Sequence, residues 1–133
     1  MAQMTSPSAP AATGAAPDAV EALIEARERT LALVASVSEA DLERVHSKLM
    51  SPLVWDLGHI AAFEDLWLVH RYGDQPLLHP ELVDVYDAME TPRADRGELP
   101  FLGPAAARDY LERVRERTEI GRASCRERVY ACV

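Results

Sequence analysis

His59 lies in the segment Ser51-Pro-Leu-Val-Trp-Asp-Leu-Gly-His-Ile-Ala-Ala-Phe-Glu-Asp-Leu-Trp-Leu68. There Trp55, His59, Ala62 and Leu66 recur at three- and four-residue spacing and so share one helical face. An imidazole on such a face is either packed into a core or offered to something inside a helical bundle. As a ligand it suits iron, copper, nickel or zinc, but one histidine alone holds none of them tightly. Oxygen-activating mononuclear iron takes three protein ligands on one side and leaves positions open for substrate and dioxygen. The chain's other histidines are His46, His70 and His79. His46 reads as a local hydrogen-bonding residue, His70 as a helix C-terminal residue favoured by the dipole, and His79 as ordinary loop. A second chemical feature is Arg93 with Arg96 in a proline-bounded loop. Exposed loop arginines are usually just solvated, but two guanidinium groups three residues apart can also grip carboxylates bidentately. Asp65 and Glu64 read as solvent-facing, with Glu64 near enough to the His59 face to support a ligand.

Four helices and one long connection must position these groups. Asp18 caps a first helix whose apolar stripe is Val20, Leu23, Ile24, Leu31 and Val34, ending near residue 37. Ser38-Glu-Ala-Asp41 is a weak capping box opening a short helix with Leu42 and Val45 inward. Ser51 as N-cap and Pro52 in the first turn start the helix that carries His59. It is expected to stop near Tyr72, with Gly73 as the left-handed terminator. A long irregular stretch, 74–104, carries Pro76, Pro80, Pro92, Pro100 and Pro104, and a connection of that length is more often functional than idle. Pro104 opens a last helix, to about Thr118, with Tyr110, Leu111 and Val114 on its buried side. No strand alternation and no repeat appears, so the fold class is all-α, an incomplete four-helix bundle that leaves an apolar groove exposed.

Both ends of the chain are set aside. Residues 1–17 are rich in Ala, Pro, Ser and Thr and read as a disordered leader, with no signal peptide evident. Ile120 to Val129 reads IGRASCRERV, the translation of ATC GGA AGA GCG TCG TGT AGG GAA AGA GTG, which resembles a sequencing-library adapter. Residues 119–133 are therefore read as an artefactual tail rather than evolved protein, leaving 18–118 as the domain. Both cysteines, Cys125 and Cys132, fall in that tail, which excludes disulfides, zinc-thiolate sites and cysteine nucleophiles from the remainder and is compatible with the cytoplasm. The whole chain carries −8, and the tail holds three Arg against two Glu, so the remainder is −9. An acidic domain repels a phosphate backbone, which argues against nucleic acid, and no apolar run approaches the ~20 residues that span a membrane.

Two blocks carry a family resemblance: Ser51-Pro-Leu-Val-Trp-Asp-Leu-x-His59, and Arg93-Ala-x-Arg96 followed by Leu99-Pro100. Together they resemble the N-terminal DinB-like domain of the ergothioneine-biosynthesis sulfoxide synthases, the hercynine oxygenases, over about Ala19 to Thr118. The resemblance implies a four-helix DinB-like bundle and a non-haem Fe(2+) site of three histidines, of which only His59 is present. The other two would sit on a missing last helix. It also implies that Arg93 and Arg96 clasp the carboxylates of a γ-glutamylcysteine or cysteine co-substrate, with Asp95 between them able to weaken their pull. The implied parent uses O2 to join that thiol to hercynine, with a C-terminal domain similar to formylglycine-generating enzymes that is absent here. The fragment itself is then expected to be inactive. Two other readings stay open: a DinB-like metal-dependent thiol S-transferase, and a non-catalytic helical interaction module.

Overall fold

The computed structural model describes residues 18–131, with side chains through residue 119; the leader read over 1–17 and the side chains of the tail from 120 on lie outside the described residues. Every regular element among the described residues is helical. The chain divides into two units, Met1–Ala35 and Ser36–Val133.

In the first unit, α1 spans Ala19–Val34. Asp18 caps it as expected: its carboxylate accepts from the Val20 amide at 3.2 Å, satisfying one of the free donors of the first turn. An Arg29–Glu25 pair one turn apart braces the exposed face. Val20, Leu23, Leu31 and Val34 are its less exposed apolar residues, whereas Ile24 is exposed.

The second unit begins with α2, Glu39–Glu43. Ser38 accepts from the Asp41 amide at 3.2 Å and donates back to the Asp41 carboxylate. Leu42 is fully buried, but Val45 is not inward with it: the backbone turns extended at Arg44, so Val45 leaves the helical period and lies against Gly97 instead. His46 bonds the Asp41 carbonyl at 2.8 Å and is the local residue its position suggested.

The central helix α3 is Leu53–Glu64, continued without a break by a π-helical turn, Asp65–Arg71. Its start differs from the sequence reading, because Pro52 is the N-cap and no side chain caps the helix. Ser51 is buried and its hydroxyl is taken by Arg96, which removes it from capping. The end differs too. Gly73 is not left-handed; that conformation falls on Asp74, with φ 52°. Glycine is needed at 73 because a Cβ would lie 2.5 Å from the Val69 carbonyl and 2.8 Å from that of Leu68. The wide turn, closed by the Tyr72 amide on the Trp67 carbonyl, brings those oxygens close.

The stretch before α4 is not wholly irregular: it contains two 3-10 turns, Pro80–Leu82 and Arg93–Glu98. α4 opens at Pro104, as expected, and runs to Ala131 rather than to about 118. Its later residues are largely Arg, Glu and Ala, which keep a helix going whatever their origin. α4 packs along α3 through Ala107, Tyr110, Leu111 and Val114, against Val54, Leu57, Ala61 and Val69. No helix among the described residues is long and apolar enough to cross a membrane.

Candidate functional site

Trp55 and His59 stack face to face, with ring centroids 5.1 Å apart and planes 9° from parallel. This is what one helical turn does with two flat side chains on the same face. Trp55 is fully buried and donates its indole N–H to the Val85 carbonyl at 3.0 Å. His59 is half-buried, and its Nδ1 sits 2.8 Å from the Tyr86 carbonyl oxygen. A carbonyl only accepts, so in the neutral ring Nδ1 carries the proton and Nε2 keeps its lone pair. This is the tautomer and restraint that a histidine ligand requires.

The segment that receives these two bonds is held by packing that the sequence signalled at one place. Gly58 is mid-helix, where glycine costs about 1 kcal/mol relative to alanine. It is there because the Tyr86 ring lies against the helix backbone, and a Cβ would be 2.3 Å from it. The Tyr86 hydroxyl then accepts from the Leu102 amide at 2.8 Å, and burial pushes the phenol pKa up. Tyr86, Val83, Asp87 and Met89 are functional-site neighbours that sequence reasoning missed; apart from Gly58 no local pattern marks them. With His59, Ala62, Phe63, Leu66 and Trp67 they line a cavity of about 330 Å³. Of the face expected from Trp55, His59, Ala62 and Leu66, the last three line the cavity, while Trp55 is fully buried and does not.

The two arginines lie near each other but are held in different ways. Arg93 is exposed at the start of the second 3-10 turn. Arg96 is buried, with its guanidinium carbon 4.0 Å over the centre of the Trp55 ring. It donates from Nε to the Thr91 carbonyl at 3.0 Å, from one terminal nitrogen to Ser51 Oγ at 2.8 Å, and from the other to the Ala88 carbonyl at 3.2 Å. Burial lowers its pKa, the nearby Arg93 charge adds to that, and Asp56 opposes it. Asp56 itself is pushed above the usual carboxylate value by burial, against the pull of a Ser51 hydrogen bond and the neighbouring charges.

Glu64, expected near the His59 face, is not solvent-facing. It turns to α4 and pairs with Arg115 at 3.3 Å. Asp65 is the larger surprise, for it is fully buried rather than solvent-facing. It accepts from the Leu78 amide at 3.0 Å, the His79 amide at 3.3 Å and the Tyr110 hydroxyl at 2.7 Å. The signal was present: Asp65 continues the Val54, Leu57, Ala61 stripe toward Val69, the stripe that faces α4. His79 is not merely loop either, since its ring stands edge-on to Tyr110 at 4.6 Å. His70 bonds the Gln75 carbonyl at the end of the π turn.

As a metal site the arrangement is one donor of a set. His59 fits the role of ligand by its fixed tautomer, but no group of three His, Cys, Asp or Glu that could hold an ion occurs among the described residues.

The DinB superfamily profile matches residues 22–120. The chain is 52% identical over 96 residues to the hercynine oxygenase of Mycolicibacterium thermoresistibile, covering 70% of this chain and 21% of that protein. It is 53% identical over 96 residues to the hercynine oxygenase of Mycobacterium tuberculosis, covering 70% of this chain and 22% of the relative. With the hercynine oxygenase of Mycolicibacterium smegmatis it shares 51% over 92 residues. The chain thus spans about a fifth of the length of these curated relatives.

Proposed function

Because the chain belongs to the DinB superfamily, we propose that it is the N-terminal part of a hercynine oxygenase. The parent is then an O2-dependent sulfoxide synthase of the cytoplasm that joins the sulfur of γ-glutamylcysteine or cysteine to hercynine. The observation that carries this reading is His59, fixed through Nδ1 on the Tyr86 carbonyl with Nε2 left to bind, inside a cavity. The identity to three hercynine oxygenases supports it over a thiol S-transferase of the same superfamily.

In this reading His59 is one iron ligand, and the remainder of the set lies outside the described residues. An iron(II) centre would supply, when bound, a redox-active meeting point for thiol, hercynine and dioxygen, while the four electrons that reduce O2 come from the substrates, two on forming the C–S bond and two on oxidising the sulfur, with the second oxygen leaving as water. The work of this chain is to hold the imidazole in one orientation, to wall the cavity with Phe63, Trp67 and Tyr86, and to present Arg93, with Arg96 behind it, to the thiol's carboxylates. Residues 119–133 are proposed to be adapter read-through, and the 133-residue chain is proposed to be inactive for want of ligands.

The test is a full-length parent carrying His59→Ala. The wild type is expected to hold one iron and to form the sulfoxide from thiol, hercynine and O2 by mass spectrometry; the variant is expected to do neither. Arg93→Ala in the same protein should raise KM for the thiol about ten- to hundredfold and leave hercynine affinity unchanged. A parent that transfers the thiol without consuming O2 would establish the transferase reading instead.

A further inference from the structure

Arg96 has a place in the site that neither the resemblance nor its burial alone explains. Three flat groups are layered: the Arg96 guanidinium 4.0 Å over Trp55, and Trp55 on His59 at 5.1 Å. The same three side chains also bond carbonyls of one short segment. Trp55 takes Val85, His59 takes Tyr86, and Arg96 takes both Ala88 and Thr91. Through Ser51, Arg96 ties that segment to the residue before the N-cap of α3. The acceptor that fixes the His59 tautomer thus sits in a loop whose far end is held by Arg96, and the ring stacked on His59 is covered by the same guanidinium.

We infer that Arg96 is a positioning residue for His59: by clamping residues 85–91 and Trp55, it keeps the imidazole in the Nδ1–H form with Nε2 free. The inference rests on the reading of His59 as a ligand only for its purpose, since the geometry it invokes is present without metal. Three of the guanidinium's N–H groups are already bonded within the chain, so Arg96 differs in kind from the exposed Arg93. A charged donor over a tryptophan face, bonded to two carbonyls and a hydroxyl, is also hard to replace: lysine keeps the charge but lacks the planar fork whose three nitrogens each reach a different acceptor.

The experiment uses the metal-free 133-residue chain and reads the His59 ring nitrogens by NMR, so it is independent of iron and of turnover. The wild type is expected to show the Nδ1–H tautomer. Arg96→Met keeps the side chain's length over Trp55 and removes the donors. It is expected to lose the tautomer preference, giving the mixture of a free imidazole, and to speed exchange of the Trp55 indole N–H about tenfold, the worth of one lost hydrogen bond to a charged donor. Arg96→Lys should recover the helical CD signal but not the tautomer, and Arg93→Met should leave both as in wild type. Where Arg96→Met does not fold, Ser51→Ala, which removes one of the three partners, carries the test with a smaller change in the same direction. A folded Arg96→Met, or failing that Ser51→Ala, with the wild-type His59 tautomer would overturn the inference. A guanidinium that only gripped a ligand would give that result, because no ligand is present. Failure of the iron and sulfoxide assays with a positive NMR result would instead discard the oxygenase reading and keep the clamp.

Discussion

Along the helix from Leu53 to Arg71, His59 and Asp65 face opposite sides of the second unit and are treated in opposite ways. Asp65 is closed in by α4 and the 75–79 loop, and its carboxylate receives three donors. Among the described residues His59 is bonded through one ring nitrogen, Nδ1, beside a Phe63 that is 56% exposed and a Trp67 that is 40% exposed. The Asp65 side is where the fold's stability is concentrated, since a buried charge is tolerated only when its partners are complete. The His59 side leaves apolar surface in water, which costs stability, and its one well-made feature is the orientation of an imidazole. A helix can serve both ends because its two stripes are independent.

The first way to break this contrast is Asp65→Ala. It leaves two backbone amides and the Tyr110 hydroxyl inside without their acceptor, at a cost of roughly 2–4 kcal/mol. Urea unfolding should show that loss, with the His59 tautomer unchanged if the two sides are as separate as they look.

Tyr110→Phe removes a single donor to the same carboxylate and should cost about 2 kcal/mol. It also has a pH signature. Burial first, and then the Asp65 hydrogen bond and charge, raise the Tyr110 pKa well above the ordinary 10.0. A phenol whose folded pKa is raised contributes stability that is whole below the ordinary value and is lost as the pH climbs beyond it. Wild-type stability should therefore fall above about pH 10, and the Phe variant should fall less steeply over the same range. Tyrosinate absorbance should show the Tyr110 phenol ionising only as the chain unfolds.

What the sequence revealed, and what it hid, follows the same division. Trp55 and His59 were legible because a 3.6-residue period needs nothing beyond neighbours in sequence. The caps at Asp18 and Ser38, and Pro104 opening α4, were legible for the same local reason. Asp65 was misread because residue type was allowed to outweigh position: a carboxylate in an apolar stripe is buried if distant donors arrive, and Leu78, His79 and Tyr110 are distant. Ser51 was misassigned as a cap because its true partner, Arg96, lies 45 residues away. The Tyr86 carbonyl that orients His59 is a backbone atom in a segment without regular structure, so side-chain identity carried no trace of it. Gly58 was the exception, since a mid-helix glycine signals a close approach.

Gly58→Ala is the sharper probe of the site side. Its Cβ would lie 2.3–2.5 Å from the Tyr86 ring, so the ring must shift, at roughly 1–2 kcal/mol for overpacking. A smaller cost than at Asp65 should bring a larger effect on His59, because the Tyr86 carbonyl moves with its ring. NMR of the His59 ring in this variant should lose the fixed tautomer even though the chain remains folded. If Tyr86 adjusts within its own side chain and the tautomer stays, the ring and the carbonyl are uncoupled and the hydrogen bonds from Trp55 and Arg96 suffice to hold the loop.

The smallest effect is expected at Phe63→Ser, on the exposed rim of the cavity. Phe63 gives up two tilted ring contacts, to His59 at 6.3 Å and to Trp67 at 6.2 Å, each worth a fraction of what a buried aromatic pair contributes. Over half of the residue is already in water, so little apolar area returns to solvent on unfolding. The cost should stay under about 1 kcal/mol, and removing exposed apolar surface should also lower binding of a hydrophobic dye to the folded chain. A loss as large as that of Asp65→Ala would mean that the cavity face is as tightly built as the α4 face. The division of this helix into a closed side and an open one would then be wrong.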